Sequence, residues 1–355
     1  GLKGVGIRLV AGGGSAWAPG NFGYLQTDLG PGANALEYAL GANNVPGNCI
    51  SADQVTTKPG LSTSVTDAIN TRFDIFENGL VSECAANTAA CSPSNNTRKD
   101  VVHLAISSSP GQGQGQGQGQ GNATNCGFAT GNDPWILPTV QYLPDPSTRT
   151  QSTLPTNMGL PRDICHAISS DGDCSAGRIG NGNWDRDMYF RVNHPSIGTG
   201  WPTNSSLMSW AALQDPVVNV ASISRYDVYR WESATNNNGD RVAYTTSGQG
   251  NNPGNAYYSY SQPKCTAGLA PSQSQLDRRL TAVAVVNCLA AGLNGQETGV
   301  NVIDWVEVFL VEPSIARDRT SASDIYVEIV RVVDTGTDGG VLSQVIRRDV
   351  PYLIE

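Results

Sequence analysis

Alternating apolar and polar positions are concentrated in roughly the last 80 residues, 277–355. This region contains four segments rich in Val, Ile, Leu and aromatic residues, each bounded by Gly, Asn, Asp or Pro: DRRLTAVAVVNC, VNVIDWVEVFLVEP, SDIYVEIVRVV and VLSQVIRRDVPYLIE. Such runs are typical of β-strands. The pattern predicts a C-terminal core sheet over residues 277–355, with one well-buried face. Within it, Val300–Val311 is apolar at both sets of alternate positions, which indicates a central strand.

Upstream of this region the chain has fewer apolar runs and more loop signals. Three strands are predicted, at Gly4–Val10, Val101–Ile106 and Ser222–Glu232, with two short helices at Asn34–Leu40 and Ser64–Asn70. Glycine supplies 40 of 355 residues, well above the usual share of about 7%. We therefore expect an α+β fold with a predominantly β core sheet, short helices and long Gly/Asn/Pro-rich loops, braced by disulfides, in one main domain spanning 1–355.

Residues 107–135 form a low-complexity Gly-Gln insertion or loop, with strict Gly-Gln alternation over 111–121. This tract has no apolar face and cannot drive burial, so in isolation it is expected to be linker-like. Its backbone donors and acceptors need partners if it is to be ordered. A neighbouring strand or a neighbouring copy of the chain would supply them, which points to a tightly packed assembly. The alternative is a surface loop ordered by crystal contacts.

Charge and hydropathy narrow the classes of partner. The net charge is −9 and the isoelectric point is near 4.8, which argues against nucleic acid and anionic membrane surfaces. The apolar runs stop short of the roughly 18 residues that a membrane span needs. The chain begins at Gly1 without a signal peptide, and one interpretation is a mature chain whose targeting segment has been removed.

Eight cysteines are present, an even number without a CxxC pair. Closer ligand pairs are expected for structural zinc, so disulfides and an oxidising compartment are the favoured interpretation. Cys84/Cys91 and Cys165/Cys174 are near enough to close local loops, and Cys265/Cys288 could close a hairpin-like connection. Cys49 and Cys126 would then remain. The sequence does not decide the pairing.

An oxygen-rich stretch begins inside the Cys165/Cys174 loop and continues beyond it. It contains Asp171, Asp173, Asn181, Asn183, Asp185 and Asp187 beside several glycines. Alternating Asp and Asn can wrap a calcium ion, which takes six to eight oxygen ligands. Asp171, Asp173, Asn183, Asp185 and Asp187 are therefore candidate calcium ligands. The spacing does not match an EF-hand, and Asx turns that cap a stapled loop are the alternative.

Candidate catalytic groups are few. The chain has three histidines: His103 in a strand candidate, His166 beside Cys165, and His194 before a proline. No GxSxG, HExxH, P-loop or DxSxS motif is present. Glu307 and Glu328 lie on neighbouring predicted strands, but no other group supports a carboxylate dyad. We predict no catalytic residues, no cofactor other than possible calcium, and no enzyme activity.

Seven segments follow one another along the chain: APGNFGYL, AINTRFDIF, GNGNWDRDMYFRVN, LTAVAVVNCL, WVEVFLVEP, IYVEIVRVV and VIRRDVPYLIE. In this order they resemble the TadG-related (TadE/TadG-like) family of Tad/Flp pilus-assembly proteins, and the similarity is densest in the last two. Proteins of this family typically carry an N-terminal hydrophobic helix. The sequence shows no such helix, so we expect membrane contact only through a segment that is absent here.

The resemblance implies a non-enzymatic extracellular structural protein, Tad-pilus-associated or itself the subunit of an extracellular filament. Its expected partners are other copies of itself or pilus subunits, with exposed strand edges as contact sites. The expected location is outside the cell or on the surface of a bacterium, after export through an oxidising compartment. The alternatives are a calcium-dependent surface adhesin and a secreted polysaccharide hydrolase.

Overall fold

The computed structural model describes residues 2–9, 21–30, 32–43, 53–59, 63–77, 88–104, 126–129, 134–169, 173–174, 177–234, 256–257, 263, 266, 268–271, 277–318, 324–333 and 352–354. Its strands are β1 Gly6–Arg8, β2 Asn21–Leu25, β3 Gln54–Val55, β4 Thr57–Pro59, β5 Val102–Leu104, β6 Trp135–Ile136, β7 Ala256–Tyr257, β8 Leu280–Val285, β9 Val300–Asn301, β10 Asp304–Leu310, β11 Tyr326–Val333 and β12 Tyr352–Ile354. Its helices are α1 Ala33–Gly41, α2 Thr63–Asn70, α3 Ile164–Ile168, α4 Arg186–Asn193, α5 Ser205–Ala212, α6 Arg225–Ser233 and α7 Cys288–Ala291, with short 3-10 turns at Thr71–Phe73, Thr88–Cys91, Gly198–Thr203 and Val220–Ser222. This confirms the α+β class.

The main sheet has seven strands in the order β1-β11-β10-β8-β12-β2-β4. All neighbours are antiparallel except β12 and β8. The four predicted C-terminal strands therefore share one sheet, and β10 lies between β8 and β11. The predicted run Val300–Val311 is divided, because Val302 N donates to Asp53 O and β9 pairs instead with β3.

The main sheet is covered on both faces, not on one as its alternation predicted. Val308 and Leu310 of β10 belong to the core cluster that α1 and α2 complete. Phe309 lies in a second cluster, built with side chains of α4, α5 and α6. The central strands are apolar at successive positions because they meet a helical layer on each side.

Both predicted helices are confirmed, since α1 contains Asn34–Leu40 and α2 contains Ser64–Asn70. The predicted strand Ser222–Glu232 is wrong, because this stretch forms α6. Ser224 caps the helix by accepting a hydrogen bond from Asp227 N. The polar-apolar alternation of this stretch resembled a strand, whereas Ser followed three residues later by Asp is a helix-start signal.

The two outer strands of the main sheet are paired with other parts of the chain. On β1, Arg8 N donates to Arg178 O at 2.9 Å and Gly180 N donates to Gly6 O at 2.7 Å. On β4, Thr57 N donates to Glu297 O at 2.8 Å. These bonds occupy part of both outer edges of this sheet, and contact through strand edges stays a prediction. Among the described residues, no helix has the length and apolar character that crossing a membrane requires, and the Gly-Gln tract lies outside them.

Gly180 faces the carboxyl group of Asp163 so closely that a Cβ at this position would lie 2.0 Å from Oδ2. We expect Gly180→Ala to lower the free energy of unfolding by at least about 1–3 kcal/mol, the usual cost of overpacking. Urea denaturation followed by circular dichroism measures the change. Gly200→Ala is the matched control, because nothing lies within 4 Å of that Cβ position. Equal stability of the two variants would contradict the close approach.

Candidate functional site

Asp163 is the convergence point of several backbone segments. It immediately precedes α3, and its side chain is fully buried. Oδ2 accepts hydrogen bonds from Gly6 N at 3.2 Å, Asn181 N at 2.8 Å and Gly182 N at 2.7 Å. One carboxylate thus joins β1 to the segment that covers the outer edge of β1.

Arg225, the first residue of α6, completes this arrangement. Its Nη2 atom donates to Asp163 Oδ1, and its Nη1 atom donates to Glu328 Oε2 on β11 at 2.9 Å. All three side chains are fully buried. Glu328 also accepts hydrogen bonds from the backbone N–H groups of Arg225 and Tyr226, each at 2.9 Å. The carboxylate therefore caps the N-terminus of α6, where negative charge is stabilising. We call Asp163, Arg225 and Glu328 the buried triad.

The environment keeps Asp163 and Arg225 ionised. Burial alone would raise the pKa of Asp163, but the Arg225 guanidinium and the backbone donor Gly182 outweigh it and hold this pKa below its usual value. Burial would lower the pKa of Arg225, but Asp163 and Glu328 raise it. Such permanently charged groups suit ion pairing rather than proton transfer.

A second buried network surrounds Glu232 of α6. Its Oε1 accepts a hydrogen bond from Tyr189 at 2.6 Å, and lies 2.7 Å from His194 Nε2 and 3.0 Å from Arg98 Nε. Oε2 accepts a hydrogen bond from Asn96 at 2.7 Å. Burial favours the neutral acid, but Arg98 and His194 hold the pKa of Glu232 below its usual value. Because Glu232 is fully buried, this network braces the core.

The predicted Cys165–Cys174 disulfide is present, with Cα atoms 4.9 Å apart. Cys91 and Cys126 are also disulfide-bonded, whereas Cys49, Cys84 and Cys265 lie outside the described residues. Cys288 is buried and forms no disulfide with another described residue. The Cys84/Cys91, Cys49/Cys126 and Cys265/Cys288 pairings stay predictions.

His166 lies on α3, beside the Cys165–Cys174 disulfide. Its side chain is 1% exposed and packs edge-on against Tyr326, with ring centroids 5.4 Å apart. Burial lowers the pKa of His166 to about 4, against the opposing effect of Asp163. The imidazole is therefore neutral at pH 7. The side chain of His103 lies outside the described part.

The described members of the predicted calcium set serve separate structural roles, and Asp171 lies outside the description. Asp173 lies 3.8 Å from Arg149, and Asn183 N donates to Asn181 Oδ1 in an Asx turn. Asp185 caps α4 through Met188 N, and Asp187 accepts a hydrogen bond from Trp201 Nε1. Among the described residues, Asp173, Asp185 and Asp187 do not form a group whose ligand atoms all lie within 4.8 Å of one another.

Glu307 and Glu328 each have a different arginine partner. Glu307 pairs with Arg331 at 2.9 Å, and Glu328 belongs to the buried triad. One pocket in the described part of the chain has a volume of about 40 Å³, room for one or two waters. Its lining charges are paired as Arg317 with Asp100 and Arg162 with Glu312. Both of these carboxylates are therefore bonded to arginines.

Replacement of Asp163 by Asn should leave Arg225 with one buried carboxylate instead of two. We expect the free energy of unfolding to fall by about 3–5 kcal/mol, the range for breaking a buried ion pair. Asp173→Asn is the matched control, because its ion pair with Arg149 is partly exposed and is worth less than about 1 kcal/mol. Chemical denaturation of both variants tests this, and a small loss in Asp163→Asn would contradict the role of the buried triad.

Asp67 of α2 has a raised pKa. Burial, followed by Glu77 and Glu37, raises its pKa from 3.8 to about 6. A carboxyl group whose pKa is higher in the folded state contributes stability at low pH, and this contribution is lost as the pH rises through about 6. Above that pH the ionised carboxylate opposes folding.

Asp67→Asn should therefore raise the melting temperature at pH 7.5, and the gain should shrink as the pH falls from 6 towards 4. Thermal unfolding across this range measures it. Asp318→Asn, at an exposed position, is the control and should change little. A gain that does not vary with pH, or a loss at pH 7.5, would show that burial of the carboxylate is not the cause.

Comparisons with known proteins identified no relative of this chain. No family model, no curated protein and no solved structure matched the chain. The resemblance to TadG-related proteins therefore rests on the sequence segments alone. The function of the chain has to be argued from its own residues.

Proposed function

We propose that the chain is an exported structural protein of the bacterial surface that associates with copies of itself in an extracellular filament. The TadG-like order of its segments supports a pilus-related role. The Cys165–Cys174 disulfide supports passage through an oxidising compartment, because such bonds persist there.

Internal bracing supports a structural role. The buried triad connects segments that are 62 and 103 residues apart in sequence. Arg8 and Asp324, 316 residues apart, form another buried pair at 3.0 Å. Ion pairs of this kind fix which segments meet, as a subunit of constant shape requires.

Exposed apolar side chains on α5 and just after it are the observation that best supports self-association. Met208 on α5 is 50% exposed, and Leu213 and Val217 just beyond it are 84% and 70% exposed. Val218 N donates to Ala211 O, so this segment folds back onto the end of α5. We call Met208, Leu213 and Val217 the α5 patch. Exposed apolar side chains this close in sequence offer a surface for protein contact. Because the outer strands of the main sheet already bond to other segments, side chains rather than strand edges would make this contact.

The full-length chain should form a concentration-dependent, high-mass species in sedimentation velocity, and filaments in negative-stain electron microscopy of native and purified material. Leu213→Glu should abolish both, because it places a charge in the contact. Leu289→Glu is the matched control, because Leu289 on α7 is also a highly exposed leucine, at 74%. This variant should assemble normally. A strictly monomeric profile for the unsubstituted chain would contradict the filament and favour a pilus-associated accessory role.

A further inference from the structure

Three side chains that are common metal ligands meet at α3. The sulfur atoms of Cys165 and Cys174 and a ring nitrogen of His166 all lie within 4.8 Å of one another. In the described part of the chain this is the one group of three or more His, Cys, Asp or Glu residues with such spacing. All three residues are buried.

His166 gives a second, independent indication of a ligand. Neither Nδ1 nor Nε2 has a hydrogen-bond partner, although the side chain is 1% exposed. A buried polar group without a partner is costly, and one in a native structure calls for an explanation such as an ion. A metal ion beside the two sulfurs would bind one of these nitrogens.

We propose that Cys165, His166 and Cys174 form a zinc site when the disulfide between the two cysteines is reduced. A phosphine reductant supplies two electrons to the S–S bond and becomes the phosphine oxide with oxygen from water, and the two sulfurs become thiols. Zn²⁺ then displaces both thiol protons and binds two thiolates and the imidazole. Water takes the fourth tetrahedral position, as in zinc sites with three protein ligands.

The chemistry of the group selects the metal. Two thiolates and an imidazole favour Zn²⁺ over hard cations such as calcium. The surroundings of His166 contain the charges of Asp163, Arg162, Arg225 and Arg8. Each of these arginines pairs with a carboxylate. A zinc ion with two thiolates and a neutral imidazole adds no net charge to this buried place.

The disulfide and the metal exclude each other, because both need the same sulfur atoms. The oxidised chain would hold the loop between Cys165 and Cys174 covalently, and the reduced chain would hold it through zinc. The site would thus preserve this part of the fold under either redox condition.

Cobalt(II), a spectroscopic substitute for zinc, tests the proposal on the full-length chain after reduction with a phosphine under native conditions. We expect one equivalent of cobalt to give the visible absorption of a tetrahedral thiolate site, and zinc to displace it. The oxidised chain should show neither. Cys288→Ser, which removes a buried cysteine on α7, should behave as the unsubstituted chain.

Two substitutions locate the metal. Cys174→Ser should remove the absorption. His166→Gln keeps both cysteines and should weaken cobalt binding at least about tenfold, since even the loss of a group that only hydrogen-bonds to a metal ligand costs about 10–100-fold. Circular dichroism reports whether each variant is folded. The proposal is overturned if the reduced, folded chain binds no cobalt, or if His166→Gln binds it as tightly as the unsubstituted chain.

Discussion

The ion pairs that Arg225 forms with Asp163 and Glu328 hold together three parts of the chain that are distant in sequence. Asp163 fixes β1 and the segment beyond Gly180, while Glu328 fixes the start of α6 on β11. The position of α6 in turn sets that of Glu232, and so of the network with Tyr189 and His194. The layer on this face of the main sheet therefore depends on the buried triad.

Buried charges are an expensive way to connect segments, because each must be removed from water. Their value here lies in specificity. A chain with 40 glycines and 20 prolines has short helices and many irregular connections, so apolar burial alone would allow several arrangements of its loops. A carboxylate that needs several donors accepts one arrangement. This also explains the glycine at position 180, since a side chain there would occupy the space of the Asp163 carboxylate.

Features set by local pattern were predictable from the sequence. The apolar segments SDIYVEIVRVV and VNVIDWVEVFLVEP predicted β11 and β10, and the helix predicted at Asn34–Leu40 lies within α1. Alternation misled at Ser222–Glu232, where the capping pair Ser224 and Asp227 decided in favour of a helix.

The buried triad was not predictable, because its members meet only in the folded chain. Glu328 offered one signal, a carboxylate within a run of apolar residues, but nothing local identified Arg225 as its partner. The oxygen-rich stretch led to the opposite error, because residues close in sequence were expected to share one site. Asp185 and Asp187 are close in sequence, yet one caps α4 and the other binds Trp201.

Hydrogen exchange of individual backbone amides tests the role of the buried triad most directly. The amides of Gly6, Asn181 and Gly182 donate to Asp163, and that of Tyr226 donates to Glu328. If the triad organises the fold, these four amides exchange as slowly as those of β10, because they open only when the core unfolds. Exchange at the rate of surface loops, with β10 still protected, would contradict it.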